Sequence, residues 1–168
     1  GRESVGGSVR GRHQEIQRLI GRALRSVVDL SSLGERTVLV DCDVLQADGG
    51  TRTAAITGAY VALYQGLYGL VRNGILPRVP LKCAVVGVSV GAVNGEMLLD
   101  LSYEEDFRAQ VDFNFALTSL GELVEIQATG EDGPFVTGLV NDAVCLAQQG
   151  AETLLEIQRQ AVETLKLS

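Results

Sequence analysis

Histidine, cysteine and long apolar runs are scarce in this sequence, and each shortage excludes a class of function. The single histidine, His13, rules out mechanisms that need two and leaves a serine nucleophile without a convincing triad partner. Cys42, Cys83 and Cys145 form no CxxC pair and have no histidine close in sequence, so buried, reduced thiols are expected, as in a reducing compartment. Apolar stretches such as Ala84 to Val88 are interrupted by Gly87, Gly91 and Gly95. None approaches the roughly 20 residues that span a bilayer, and no basic, apolar leader opens the chain. A soluble, cytoplasmic protein with no membrane partner is the expectation. Repeats, linkers and low-complexity tracts are absent too.

What is present suffices for a core: 168 residues, 46% of them apolar, fit one domain or slightly more. The net charge of −7 argues at first against a nucleic-acid partner, whose affinity normally comes from Lys and Arg. The charge is uneven, however. Residues 1–25 carry six arginines (Arg2, Arg10, Arg12, Arg18, Arg22, Arg25) against Glu3 and Glu15, while 8 basic and 19 acidic residues fill the remainder. Such asymmetry suggests a local anion site on an acidic body, built with the planar fork that suits phosphate.

Ile16, Leu19, Ile20, Ala23, Leu24, Val27 and Val28 follow the spacing of a core-facing helix, with Arg18, Arg22 and Arg25 on a solvated opposite face. Thr37 to Leu45 reads as a strand with Asp41 and Asp43 on one face. Ala54 to Val71 reads as a helix stopping at Asn73-Gly74, and close packing against another element is expected to offset its internal Gly58, Gly66 and Gly69. Lys82 to Val93 and Glu96 to Leu101 flank Asn94-Gly95, a strong hairpin signal. Strands at Val111 to Leu117 and Leu123 to Ala128 follow, then a loop through Gly130 to Pro134 and a closing helix from about Leu139 to Leu165.

Two constellations can carry chemistry. In Asp48-Gly49-Gly50-Thr51-Arg52-Thr53, two glycines between strand and helix let backbone amides point outward where the helix dipole favours an anion. Thr51 and Thr53 add hydroxyls and Arg52 a charged fork. An ordinary turn is the competing reading, and the spacing and lysine of a P-loop are missing. Gly87-Val88-Ser89-Val90-Gly91 lacks the spacing and the following helix of a dinucleotide fingerprint. The second constellation is acidic: Asp100, then Glu104, Glu105, Asp106 and Asp112, which can converge on a hard cation such as Mg²⁺ or merely form a solvated loop. Asp41 and Asp43 compete for the metal role. His13, beside Arg12, is either a phosphate contact or a surface histidine.

Taken in order, Gly11 to Arg22 (GRHQEIQRLIGR), Asp41 to Thr53 (DCDVLQADGGTRT), Leu99 to Asp106 (LDLSYEED) and Val124 to Gln127 (VEIQ) resemble the signature stretches of the ribonuclease PH family, in register over essentially the whole chain. The resemblance implies an α+β fold of the ribonuclease PH type (ribosomal protein S5 domain 2-like), a mixed sheet with packed helices formed by residues 1–168 as a single domain. It implies that Arg12, Gly50, Thr51 and Arg52 hold inorganic phosphate as co-substrate, and that Asp100 and Asp106 are catalytic carboxylates that bind Mg²⁺. The activity implied is phosphorolytic 3′-to-5′ trimming of RNA, on tRNA 3′ ends, by a homo-oligomer forming a hexameric ring. His13 and Phe113 stand where the family commonly has Thr and Met, and neither removes a proposed ligand. Gly1 resembles a point inside the family sequence, so roughly the first third, with opening strands and further arginines, is expected to be absent. Two rivals remain: a noncatalytic subunit of an exosome-like ring, and an inactive truncated fragment.

Overall fold

The protein is represented by a computed structural model, in which residues 11–167 are described, apart from the side chains of Arg12 and Leu167. Helices α1 (Gly11–Val27), α2 (Leu30–Leu33) and α3 (Thr51–Arg72) precede strands β1 (Val85–Val93) and β2 (Glu96–Leu99). Helix α4 (Tyr103–Arg108), strands β3 (Val111–Thr118) and β4 (Leu123–Gly130), and the long helix α5 (Gly138–Leu167) complete the order. The α+β class expected from the sequence is what forms.

The sheet has the order β2-β1-β3-β4, and every pairing among the described residues is antiparallel, a simpler arrangement than the mixed sheet anticipated. Asn94 and Gly95 both have positive φ, 52° and 83°, and join β1 to β2 with Val93 opposite Glu96. That is the two-residue hairpin which the Asn-Gly pair specifies.

All nine residues of β1 are buried because helices cover both faces. Val86, Val88, Val90 and Ala92 join Phe113, Phe115, Ala143, Ala147 and Ala151 in a core beneath α5. Fully burying each of those phenylalanines stabilises the fold by about 1.5–3 kcal/mol. On the other side α1 and α3 form a second core through Leu19, Ala23, Val27, Ile56, Leu63 and Leu67. Gly87, Ser89 and Gly91 alternate with the valines, and a Cβ on Gly87 would lie 2.4 Å from the carbonyl of Thr53. Small residues on this face therefore let the start of α3 lie directly on the strand.

Four further sequence expectations fail. Residues 37–45 form no strand: the segment runs outside any sheet, with Leu39 and Leu45 91% and 95% exposed. β-branched composition favours a strand only where a neighbouring strand completes the ladder, and no strand among the described residues pairs with it. The cysteines are free but not buried: Cys42 lies on that open segment and Cys145 on the outer face of α5, both exposed, with Cys83 half-buried. Among the described residues, a Cβ at Gly58, Gly66 or Gly69 would meet nothing within 4 Å, so none of them compensates for these glycines by close packing. Finally, α3 is long and apolar enough by composition to cross a membrane. The count of unbroken apolar residues missed this because its glycines and polar residues are spread thinly through 22 residues. Its Thr53, Ile56, Ala59, Tyr60, Leu63 and Leu67 are nonetheless buried in the fold.

Candidate active site

Helix α3 starts from Gly50, whose φ of 66° and ψ of 23° place it in the left-handed region, open to glycine at little cost. Gly49 answers a different need. A Cβ there would lie 2.0 Å from the carbonyl oxygen of Leu101, so only glycine allows the turn to rest on the segment after β2. Asp48 completes the contact: its Oδ1 accepts the amide of Gly49 at 2.9 Å and that of Tyr103 at 2.6 Å. The two constellations separated by some fifty residues thus form one surface.

At the turn, the first amides of α3 lack intrahelical partners and carry the positive end of the helix dipole. Thr51 and Arg52 are half-buried there. Arg52 Nη1 lies 3.4 Å from Glu15 Oε1, which brings the N-terminal half of α1 alongside. Arg12 belongs to that half of α1, one turn before Glu15, while its side chain lies outside the described residues. Thr53 departs from expectation: its hydroxyl donates to the carbonyl of Gly50 at 2.8 Å and is buried, so it closes the turn instead of facing a ligand.

The acidic stretch separates into roles. Ser102 and Glu105 form a capping box: the Ser102 amide donates to Glu105 Oε2 at 2.8 Å, and the Ser102 hydroxyl accepts the Glu105 amide. Glu105 is therefore committed to starting α4. Asp106 is exposed in the first turn of α4, and Asp100 is exposed just before it with a φ of 56°. That uncommon conformation is held by the Asp100 amide donating to the carbonyl of Ser89 at 2.9 Å. Asp112, on β3, accepts Asn114 Nδ2 at 2.8 Å. Burial raises its pKa; the Asn114 bond opposes this, Asp106 adds to it and Arg52 offsets it. Asp112 thus feels both constellations at once.

Asp100 and Asp106 offer the hard oxygen donors that Mg²⁺ takes, in the small number it typically takes from protein when waters and phosphate oxygens supply the rest. Among the described residues no group of three or more metal-ligating side chains gathers; Asp41 and Asp43, the rival pair, lie on the open 37–45 segment. Of the three arginines read as a solvated face, Arg22 is engaged: its Nε donates to Glu125 Oε2 at 2.7 Å and its Nη2 also bonds that carboxylate. Sequence reading missed the roles of Asp48 and Ser89. For Asp48 the signal was there, since Asp before Gly-Gly commonly accepts nearby amides.

Comparison with known proteins gives the family to which this fold belongs. Residues 2–66 match the model for domain 1 of the 3′ exoribonuclease family, and residues 83–150 match that for domain 2. The chain is 55% identical over 161 residues to ribonuclease PH of Corynebacterium glutamicum, covering 96% of this chain and 66% of that protein. It is 55% identical to ribonuclease PH of Moorella thermoacetica, covering 96% and 64%. The chain therefore spans slightly less than two thirds of these relatives. Among solved structures, rice Rrp46 superposes with a TM-score of 0.67 at 17% identity, covering 94% of this chain and 68% of that one. The Archaeoglobus fulgidus exosome with RNA bound to its active site gives 0.68 at 20% identity, covering 90% and 63%; at such identity these two speak for the fold. With relatives at 55% identity over nearly its whole length and both family domains matched in order, the chain belongs to the ribonuclease PH family of 3′ exoribonucleases.

Proposed function

We propose that this chain provides the catalytic surface of a phosphorolytic 3′-to-5′ exoribonuclease that trims the 3′ ends of tRNA precursors, in the cytoplasm and as part of a hexameric ring. One observation carries the reading: the Asp48–Tyr103 hydrogen bond and the close approach of Gly49 to Leu101 join the glycine-bearing start of α3 to the segment that carries the exposed Asp100 and Asp106.

Phosphorolysis needs a phosphate bound beside the scissile phosphodiester and positive charge to bring two anions together. Gly50, Thr51 and Arg52, with Arg12 from α1, hold the inorganic phosphate through amides and guanidinium groups. Asp100 and Asp106 would hold Mg²⁺, which would supply charge neutralisation to the reacting phosphates. An oxygen of the inorganic phosphate attacks the phosphorus of the terminal nucleotide in line. The bond to the preceding 3′ oxygen breaks, leaving a shortened RNA with a free 3′-OH and a nucleoside 5′-diphosphate. Because one phosphoanhydride is made as one phosphodiester is lost, the reverse addition of nucleotides is accessible. The protein's own contribution is positioning and fixed charge.

The test is to incubate the protein with Mg²⁺, inorganic phosphate and an RNA bearing an unpaired 3′ tail. Nucleoside diphosphates, formed only with phosphate, are expected. Monophosphates, or turnover without phosphate, overturn the reading. RNA binding without products points to the noncatalytic ring subunit.

A further inference from the structure

Ser89 lies between Gly87 and Gly91 on the face of β1 that meets the start of α3. A Cβ on Gly87 would lie 2.4 Å from the Thr53 carbonyl, and one on Gly91 would lie 2.6 Å from Leu101 Cδ2. Of these three positions only Ser89 presents a functional group. Ser89 is 4% exposed, and its Oγ has no hydrogen-bond partner among the described residues. That oxygen lies 3.0 Å from where a Cβ of Gly50 would stand. The neighbouring hydroxyl of Thr53 is already committed to the Gly50 carbonyl.

A buried hydroxyl without a partner is unfavourable in the fold as it stands. This one lies directly beneath the turn proposed to receive an anion, and its main chain reaches the other half of the site through the Asp100 amide at 2.9 Å. A hydroxyl proton rotates about its Cβ–Oγ bond, so it can turn toward negative charge arriving above Gly50. In a nearly dry setting such a dipole acts strongly.

Resting on the phosphate reading above, we propose that Ser89 is a positioning residue for inorganic phosphate. Its buried hydroxyl supports the anion-loaded Gly49-Gly50 turn from below, while its carbonyl fixes Asp100. The hydroxyl contributes to phosphate affinity at the expense of resting stability.

The test compares wild type with Ser89→Ala by melting with and without inorganic phosphate and by phosphorolysis kinetics. Ser89→Ala should melt no lower than wild type in the absence of phosphate, since it removes an unsatisfied buried group. Its phosphate-induced rise in melting temperature should shrink, and its KM for phosphate should rise about fivefold while kcat at saturating phosphate stays within about twofold. Ser89→Cys, which keeps a weaker rotatable donor, should fall between the two. A phosphate-induced shift and KM that survive unchanged in Ser89→Ala overturn the inference alone. A lowered melting temperature with an unaltered phosphate KM also overturns it, because that outcome marks a packing role. A wild-type chain with no phosphate-induced shift overturns the phosphate reading, and this inference with it.

Discussion

Asp48 Oδ1 accepts the backbone amide of Tyr103 at 2.6 Å while also accepting that of Gly49, so one carboxylate oxygen ties the start of α3 to the start of α4. Asp48→Ala removes the tie without touching any proposed ligand. The expected result is a concerted loss, with kcat falling and the KM for phosphate rising, and kcat/KM reduced at least about tenfold, or ~1.4 kcal/mol of transition-state stabilisation. Asp48→Asn, which keeps an acceptor oxygen, should retain most of the activity. Steady-state phosphorolysis decides this, and an Asp48→Ala enzyme within twofold of wild type would sink the coupling.

Glycine substitutions separate two kinds of glycine on the same stretch of chain. Gly49→Ala drives a Cβ to 2.0 Å from the Leu101 carbonyl, so either the turn or the post-β2 segment must move, costing about 1–3 kcal/mol and most of the turnover. At Gly58 a Cβ meets nothing within 4 Å among the described residues. Gly58→Ala should therefore stabilise by roughly 0.5–1 kcal/mol through helix propensity and a less flexible unfolded chain. Urea unfolding of both variants gives opposite shifts in midpoint if this reading holds.

Those two glycines also mark how far the sequence could be read. The Asn94-Gly95 hairpin was legible because a type I′ turn is chosen locally, by two residues that tolerate positive φ. The helical stripe of α1 was legible for the same kind of reason, a period of 3.6. The strand expected at 37–45 was not realised because a ladder depends on a second strand distant in sequence. In the candidate site, the turn and the carboxylates could be named separately, but their contact could not. Gly49 resembles any turn glycine until Leu101 is placed against it. Ser89 reads as one more strand residue until the two halves of the site are brought together on its side chain and carbonyl.

Arg52 lies 3.4 Å from Glu15, so part of its charge is already answered by the protein. Arg52→Ala should raise the KM for phosphate about tenfold or more with a smaller change in kcat, whereas Asp106→Ala should abolish turnover with phosphate binding kept. Glu15→Gln should act in the opposite sense to Arg52→Ala, lowering the KM for phosphate about twofold, the modest change expected of an exposed pair. Equal, small effects of Arg52→Ala and Asp106→Ala would undo the division between phosphate-binding and carboxylate roles.

Asp112 provides a test in pH. Burial is the largest influence on its carboxyl and raises the pKa above the ordinary value, with Asp106 adding to the shift and the Asn114 bond and Arg52 opposing it. For a group whose folded pKa lies above its unfolded value of about 3.9, the stability it contributes is fully present below that pH and is lost as pH rises through the folded pKa. At neutral pH the wild type therefore carries the cost of a partly buried carboxylate near a like charge. Asp112→Asn removes that cost, and its amide oxygen can still accept from Asn114. With chelator present to exclude divalent cations, Asp112→Asn should melt higher than wild type at pH 7, and the gap should close as the pH falls toward 4. Thermal melts across that range decide it: a gap that stays constant, or a variant less stable at pH 7, would show that Asp112 is held more favourably as a carboxylate than its burial implies.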